Sequence, residues 1–210
     1  MMVAMTVLGT GGPITAFATT NTNTTSDADG DATCNGLTAT TVGTSGSDNL
    51  NGTEGPDVIA GLDGHDMIDG VGGDDVICGD EGNDIMFGDD GNDFLGGGDD
   101  NDIMNGGDGK DSVFGGEDDD NMNGGDGNDT MGGSNGTDTM FGDDGNDIMN
   151  GYRGNDRLIG GDGNDGMFGL LDDDYLNSAD FAVNNDNLDG GADTDICISD
   201  PDIVVNCEST

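Results

Sequence analysis

The chain has 210 residues, of which 46 are acidic and 3 are basic, so its formal net charge is −43 at pH 7. Glycine occupies 43 positions, aromatic residues make up 4% and tryptophan is absent, a composition that argues against an ordinary globular core. Because the whole surface would repel phosphate groups, nucleic acid and anionic membranes are excluded as partners. The composition does not exclude a fold that is held together by bound cations.

The first 33 residues precede any repeat and divide into two segments. Residues 1–18 begin with an apolar stretch and end in Ala16-Phe17-Ala18, the small-x-small pattern of a signal-peptidase site. They contain no basic residue and are interrupted by glycines and Pro13, so a cleaved export signal and an unstructured or mis-started N-terminus are both open. The stretch is too short and broken for a transmembrane helix, and no membrane insertion is expected. Residues 19–33, rich in Thr, Asn and Asp, are predicted to form a disordered linker.

A nine-residue repeat runs without interruption through residues 43–177. Glycine stands at all fifteen positions that are spaced by nine from Gly43 onward, and aspartate at all fifteen from Asp48 onward. The fifteen positions from Leu50 onward are all apolar, and a second glycine recurs in twelve units. The unit is therefore G-x-x-G-x-D-x-U-x, with positions one to nine in that order and an apolar residue at U.

Each unit predicts a tight turn followed by a short strand. Glycine permits positive φ and close approach of the backbone in the turn, and the last three residues are extended, with U on the opposite face from its neighbours. Two units then make one coil of eighteen residues, and stacking the coils brings the U side chains of two sheets together. Because one unit buries nothing by itself, the fold requires many stacked coils.

The unit resembles the RTX, or haemolysin-type, calcium-binding nonapeptide G-G-x-G-x-D-x-U-x. Residues 106–114 match that pattern in full, whereas position two is loose in other units, as at Leu62 and Tyr152. The resemblance covers residues 43–177. It implies an all-β fold, a right-handed parallel β-roll with small caps, in a secreted extracellular protein.

Stacking would place each position-six aspartate over the one eighteen residues away, so columns of like charge would repel one another. A dication between successive turns would reverse that repulsion, and Ca²⁺, with six to eight oxygen ligands in flexible geometry, suits the array better than Mg²⁺. The resemblance implies that these aspartates and the turn carbonyls are the ligands. Counting one site for each pair of turns two units apart, fifteen turns allow about 13 calcium sites. The expected aspartate ligands are Asp48, Asp57, Asp66, Asp75, Asp84, Asp93, Asp102, Asp111, Asp120, Asp129, Asp138, Asp147, Asp156, Asp165 and Asp174.

The chain has four cysteines, Cys34, Cys78, Cys197 and Cys207, and an even number in an exported protein favours disulfides. Three pairings are possible. A roll would hold its two ends far apart, which favours the local pairs Cys34–Cys78 and Cys197–Cys207. Four free thiols and a zinc site are the alternatives.

The resemblance also implies a division of the chain into caps and roll. The N-terminal cap is expected over residues 34–42, the roll over residues 43–180, and degenerate repeats with a C-terminal cap over residues 181–210. In the last segment, residues 190–198 and 181–189 read as further units, with Asp195 and Asp186 at position six.

Calcium binding, with calcium-dependent folding outside the cell, is therefore the expected function. No enzyme is expected, because His65 is the single histidine and no activated nucleophile accompanies it. Two alternatives are a calcium-stiffened spacer in a cell-surface or matrix adhesin and the repeat-bearing fragment of a larger secreted enzyme or toxin. The sequence does not identify a protein or glycan partner.

Overall fold

The computed structural model describes residues 25–26, 32–178, 186–198 and 203–207, which form strands and turns. The predicted export signal lies outside the described residues, as do most of the predicted linker and residues 181–185 of the degenerate unit. Over the described ranges the chain has no helix of the length and apolarity that a membrane span requires.

In the described ranges, twenty-two strands make up three sheets. The N-terminal antiparallel sheet contains β1 (Thr25–Ser26), β2 (Ala32–Cys34) and β3 (Leu37–Thr38). The remaining strands, in chain order, are β4 (Thr41–Val42), β5 (Asn49–Asn51), β6 (Val58–Asp63), β7 (Met67–Asp69), β8 (Val76–Glu81), β9 (Ile85–Gly91), β10 (Phe94–Asp99), β11 (Ile103–Gly109), β12 (Ser112–Glu117), β13 (Asn121–Gly127), β14 (Thr130–Asn135), β15 (Thr139–Gly145), β16 (Ile148–Arg153), β17 (Arg157–Gly163), β18 (Gly166–Leu171), β19 (Tyr175–Asn177), β20 (Asn187–Gly191), β21 (Ile196–Ile198) and β22 (Ile203–Val205). The even-numbered strands from β4 to β22 form one parallel sheet and the odd-numbered strands from β5 to β21 form the other.

The chain therefore winds as a β-solenoid of about eight turns, alternating between the two parallel sheets. Neighbouring strands pair eighteen residues apart, as Met104 with Met122, which confirms the predicted coil length. Near the C-terminal end the offset becomes 21 residues, as Tyr175 pairs with Ile196. The three additional residues fall between β19 and β20, where the nine-residue repeat breaks down.

The position-eight side chains fill the space between the two sheets, as the alternation in x-U-x predicts. They are at most 1% exposed from Ile59 to Leu176, and Leu188 continues the row. Methionine dominates the middle of this core, where its unbranched side chain fits a narrow gap between sheets. The buried row is Ile59, Ile68, Ile77, Met86, Leu95, Met104, Val113, Met122, Met131, Met140, Met149, Leu158, Met167, Leu176 and Leu188.

Disulfides close both ends, in the predicted local pairs. Cys34 of β2 bonds to Cys78 of β8 with a Cα–Cα distance of 5.7 Å, and both are fully buried where the hairpin contacts the roll. Cys197 of β21 bonds to Cys207, with a Cα–Cα distance of 5.8 Å. The described cysteines are all disulfide-bonded, so the alternatives of free thiols and a zinc site do not hold for them.

Candidate metal centre

The position-six aspartates lie in the turns, directly before the strands, and form one column along each edge of the roll. From Asp66 to Asp174 every one of them is at most 3% exposed, and Asp186 and Asp195 continue the columns with the same burial. Asp48 and Asp57, in the first turn on each edge, are only half-buried. The fold thus assembles the predicted residues into two buried columns of carboxylates.

A ladder of hydrogen bonds orients each carboxylate. The backbone N–H of one position-six aspartate donates to Oδ1 of the aspartate in the next coil, over 2.7 Å from Asp66 to Asp84 and 2.8 Å from Asp84 to Asp102. The ladder starts at Asp48 and continues to Asp195 at the far end of that edge. Because Oδ1 is held by this bond, the second oxygen, Oδ2, points to a defined place beside the turn.

In twelve of these aspartates Oδ2 is buried and accepts no hydrogen bond. A buried carboxylate oxygen without a partner is costly, since it loses its water and gains nothing in exchange. Because the same unbonded oxygen recurs in twelve turns, it indicates a ligand-binding site rather than an isolated packing fault. The twelve are Asp66, Asp75, Asp84, Asp93, Asp102, Asp111, Asp120, Asp129, Asp138, Asp147, Asp156 and Asp174.

The position-one glycine leaves a small space between this oxygen and a carbonyl of the next coil. A Cβ atom on Gly61 would lie 2.6 Å from Oδ2 of Asp66 and 2.7 Å from the carbonyl oxygen of Gly79. Both oxygens therefore face one volume that a side chain would fill. The same pairing of an orphaned Oδ2 with a carbonyl from the next coil recurs at Gly61, Gly70, Gly79, Gly88, Gly97, Gly106, Gly115, Gly124, Gly133, Gly142, Gly151 and Gly169.

Burial makes the charged form of these carboxyls unfavourable. It is the largest cause that raises the pKa of Asp120 to about 8 and that of Asp102 to about 9, and neighbouring aspartates raise both further. The N–H bond to Oδ1 lowers each pKa and only partly opposes this effect. The columns therefore favour a bound positive charge, either protons or a cation.

The donor atoms fit calcium. They are hard carboxylate and carbonyl oxygens, which Ca²⁺ takes as ligands from both side chains and backbone. Across the part of the chain that the structure describes, no three His, Cys, Asp or Glu side chains are grouped as metal ligands. What meets beside each of these twelve glycines is one carboxylate oxygen and one carbonyl oxygen from different coils.

A profile of the RTX calcium-binding nonapeptide repeat, four copies long, matches overlapping segments that together span residues 42–176. The matched segments are residues 42–77, 61–95, 79–113, 96–131, 105–140, 132–167 and 141–176. The chain belongs to the RTX calcium-binding repeat family. Comparison with curated proteins gives no match. The buried columns of this RTX chain lie within the matched segments and continue past them to Asp195.

From Leu62 onward, position two of this RTX roll adopts a left-handed backbone whether or not it is glycine. Val71 has φ of +76° and Tyr152 of +78°, close to the conformation of Gly161 at +100°. Side chains are disfavoured there, most of all β-branched ones. Residues other than glycine at position two therefore strain the backbone locally, but they leave the conformation of the turn unchanged.

Position five builds a second ladder that the motif reading missed. Its side chain accepts a hydrogen bond from the position-five N–H of the next coil: Asp74 from Asn92 at 3.0 Å and Asn128 from Asn146 at 2.8 Å. His65 does the same through Nδ1, which accepts from the backbone N–H of Asn83. The sequence signal for this second ladder was the frequency of Asn and Asp at position five, because short polar side chains bond readily to nearby backbone groups.

Proposed function

We propose that this RTX chain binds calcium in the space beside the position-one glycines of its buried turns and that, at neutral pH, it folds when these spaces are filled. The observation that carries the proposal is the buried Oδ2 without a hydrogen bond, repeated from coil to coil opposite a carbonyl oxygen. The proposed aspartate ligands begin at Asp66 and Asp75 on the two edges, with Asp186 and Asp195 extending the predicted set. The twelve sites that share the full pairing are close to the 13 expected from counting turns.

The residues of the turn prepare each site before any ion arrives. The Oδ1 bond sets the plane of the carboxylate, the position-one glycine keeps the space open, and the next coil brings its carbonyl to the other side. Bound calcium would supply the positive charge that the two columns lack. Because each site takes oxygens from two successive coils, a filled site joins those coils, and neighbouring sites should fill cooperatively.

Charge and energy both favour calcium control of folding. Twelve dications would bring 24 positive charges to a chain whose net charge is −43. A site filled tenfold above its Kd stabilises the folded chain by about 1.4 kcal/mol, whereas a whole domain is stable by only about 5–15 kcal/mol. A dozen such sites therefore exceed the margin on which folding depends.

We place this function outside the cell. The two disulfides support an oxidising compartment, and extracellular calcium modules work at roughly 0.1–1 mM calcium. In the low calcium of the cytosol, repulsion among the aspartates would keep the chain extended. In the higher calcium outside, the sites would fill and the roll would close.

A calcium titration of the purified, oxidised chain, followed by far-UV circular dichroism, tests the proposal. We expect a cooperative change from coil to β-structure at roughly 0.1–1 mM Ca²⁺, and no such change with Mg²⁺ at the same concentrations. Equal β content with calcium and with chelator would rule out calcium-dependent folding. A transition that Mg²⁺ produces equally well would rule out calcium selectivity.

A further inference from the structure

The first turn on each edge of the roll differs from all the turns that follow. In the first, the backbone N–H of Thr44 donates to Oδ2 of Asp48 over 2.6 Å, and the threonine hydroxyl donates to the same oxygen over 2.8 Å. In the second, Thr53 makes the same two bonds to Oδ2 of Asp57, over 2.7 Å and 2.9 Å. The oxygen that is buried and without a hydrogen bond in twelve of the later turns is therefore doubly satisfied in these two.

The backbone of these turns differs in the same place. Threonine stands at position two, and neither Thr44 nor Thr53 has the positive φ that position two adopts in later units, beginning with Leu62 at +78°. This change of conformation turns the position-two N–H toward the carboxylate. Hydrogen bond and backbone conformation thus change together, in two turns that are not adjacent in space but occupy equivalent places at the start of each column.

The carboxylates themselves are less enclosed. Asp48 and Asp57 are half-buried, whereas the aspartates that follow are at most 3% exposed. A Cβ atom on Gly43 would lie 3.1 Å from Oδ2 of Asp48, compared with 2.6 Å for the corresponding pair at Gly61 and Asp66. Water can therefore solvate these two charges, and two neutral donors suffice where a buried carboxylate would require a cation.

We infer that Thr44 and Thr53 take the place of calcium in the first turn on each edge, so that the two calcium columns begin at Asp66 and Asp75. This inference rests on the proposed function, and it removes Asp48 and Asp57 from the ligands that the repeat pattern predicts. The threonines act as fixed caps: the sequence itself, and not the calcium concentration, sets where the array of sites starts.

Two pairs of conservative variants test the inference, with the calcium bound per folded chain measured by equilibrium dialysis and elemental analysis. In D48N/D57N the amide oxygen of each asparagine can still accept the threonine bonds, whereas the matched pair D84N/D93N places an amide in two proposed sites. We expect D48N/D57N to keep the wild-type calcium count and a folding midpoint within about twofold of wild type. We expect D84N/D93N to lose two ions and to need more calcium to fold.

A third variant, T44G/T53G, restores glycine at position two and removes both caps. We expect it to bind two more ions than wild type, because the freed Oδ2 atoms then resemble those of the later turns. Loss of two ions in D48N/D57N, or an unchanged count in T44G/T53G, would overturn the inference while leaving the proposed function intact. A wild-type chain that takes up no calcium on folding would instead overturn the proposed function.

Discussion

Acid should partly replace calcium in folding this chain. Nine position-six aspartates have pKa values raised by burial to between about 6 and about 9, against an ordinary value of 3.8. Between those values the metal-free folded chain binds more protons than the unfolded chain, so its stability falls as pH rises. Lowering the pH from 8 to 5 should therefore move a calcium-free sample toward the folded roll.

The size of the effect follows from the same groups. For Asp120 alone, a folded pKa of about 8 makes the metal-free roll less stable at pH 7 than in acid by an amount on the order of 4 kcal/mol, because the folded carboxyl must keep a proton that the unfolded one releases. Near pH 5.5 these aspartates hold more protons in the folded chain than in the unfolded chain, and their effects on stability act in the same direction. The acid transition should consequently be steep.

Far-UV circular dichroism of the oxidised chain, freed of calcium on a chelating resin, measures this directly. The titration should stop near pH 5, because the chain approaches its isoelectric point of about 4.1 below that. The calcium-loaded chain is the control, since its β signal should already be complete at pH 8. A metal-free chain that stays unfolded down to pH 5, or that loses β-structure on acidification, would show that burial does not raise the pKa of these carboxyls.

Three substitutions test the turn and the core. Gly115→Ala places a Cβ between Asp120 Oδ2 and the carbonyl oxygen of the next coil, so equilibrium dialysis should find one calcium ion fewer per chain. The matched control Gly166→Ala should lose no calcium, because its Cβ has its nearest neighbour at 3.4 Å. Val71→Gly relieves a β-branched residue at φ +76° and should raise the free energy of unfolding in calcium by about 1 kcal/mol; a decrease would contradict the strain. Met131→Ala empties a fully buried core position and should cost about 3 kcal/mol in urea denaturation, against less than about 1 kcal/mol for the exposed Met67→Ala.

Much of the fold followed from periodicity. A period of nine with one apolar position places the strands, the turns and the core, because side chains alternate across a strand and only one position per unit faces the other sheet. The eighteen-residue register followed as well, since two units complete one coil. The disulfide pairs followed from the distance between the two ends of such a roll.

The candidate site was only partly predictable. The repeat identified aspartate at position six, yet it treated all fifteen repeats alike. It did not show that Oδ1 is held by the neighbouring coil while Oδ2 is left without a hydrogen bond, because that depends on how coils stack. It also left position five without a role, although several of its side chains accept hydrogen bonds from the backbone of the next coil.

By itself, the sequence determined the local conformation of each unit and its composition of calcium-type donors. Only the tertiary structure decided which oxygens remain available, that Asp48 and Asp57 are bonded by Thr44 and Thr53, and where the register lengthens from 18 to 21 residues near the C-terminal end. The physical reason is that turn and strand form within nine residues, whereas a site takes its atoms from two coils. The bonding of each oxygen is therefore set by neighbours eighteen residues away.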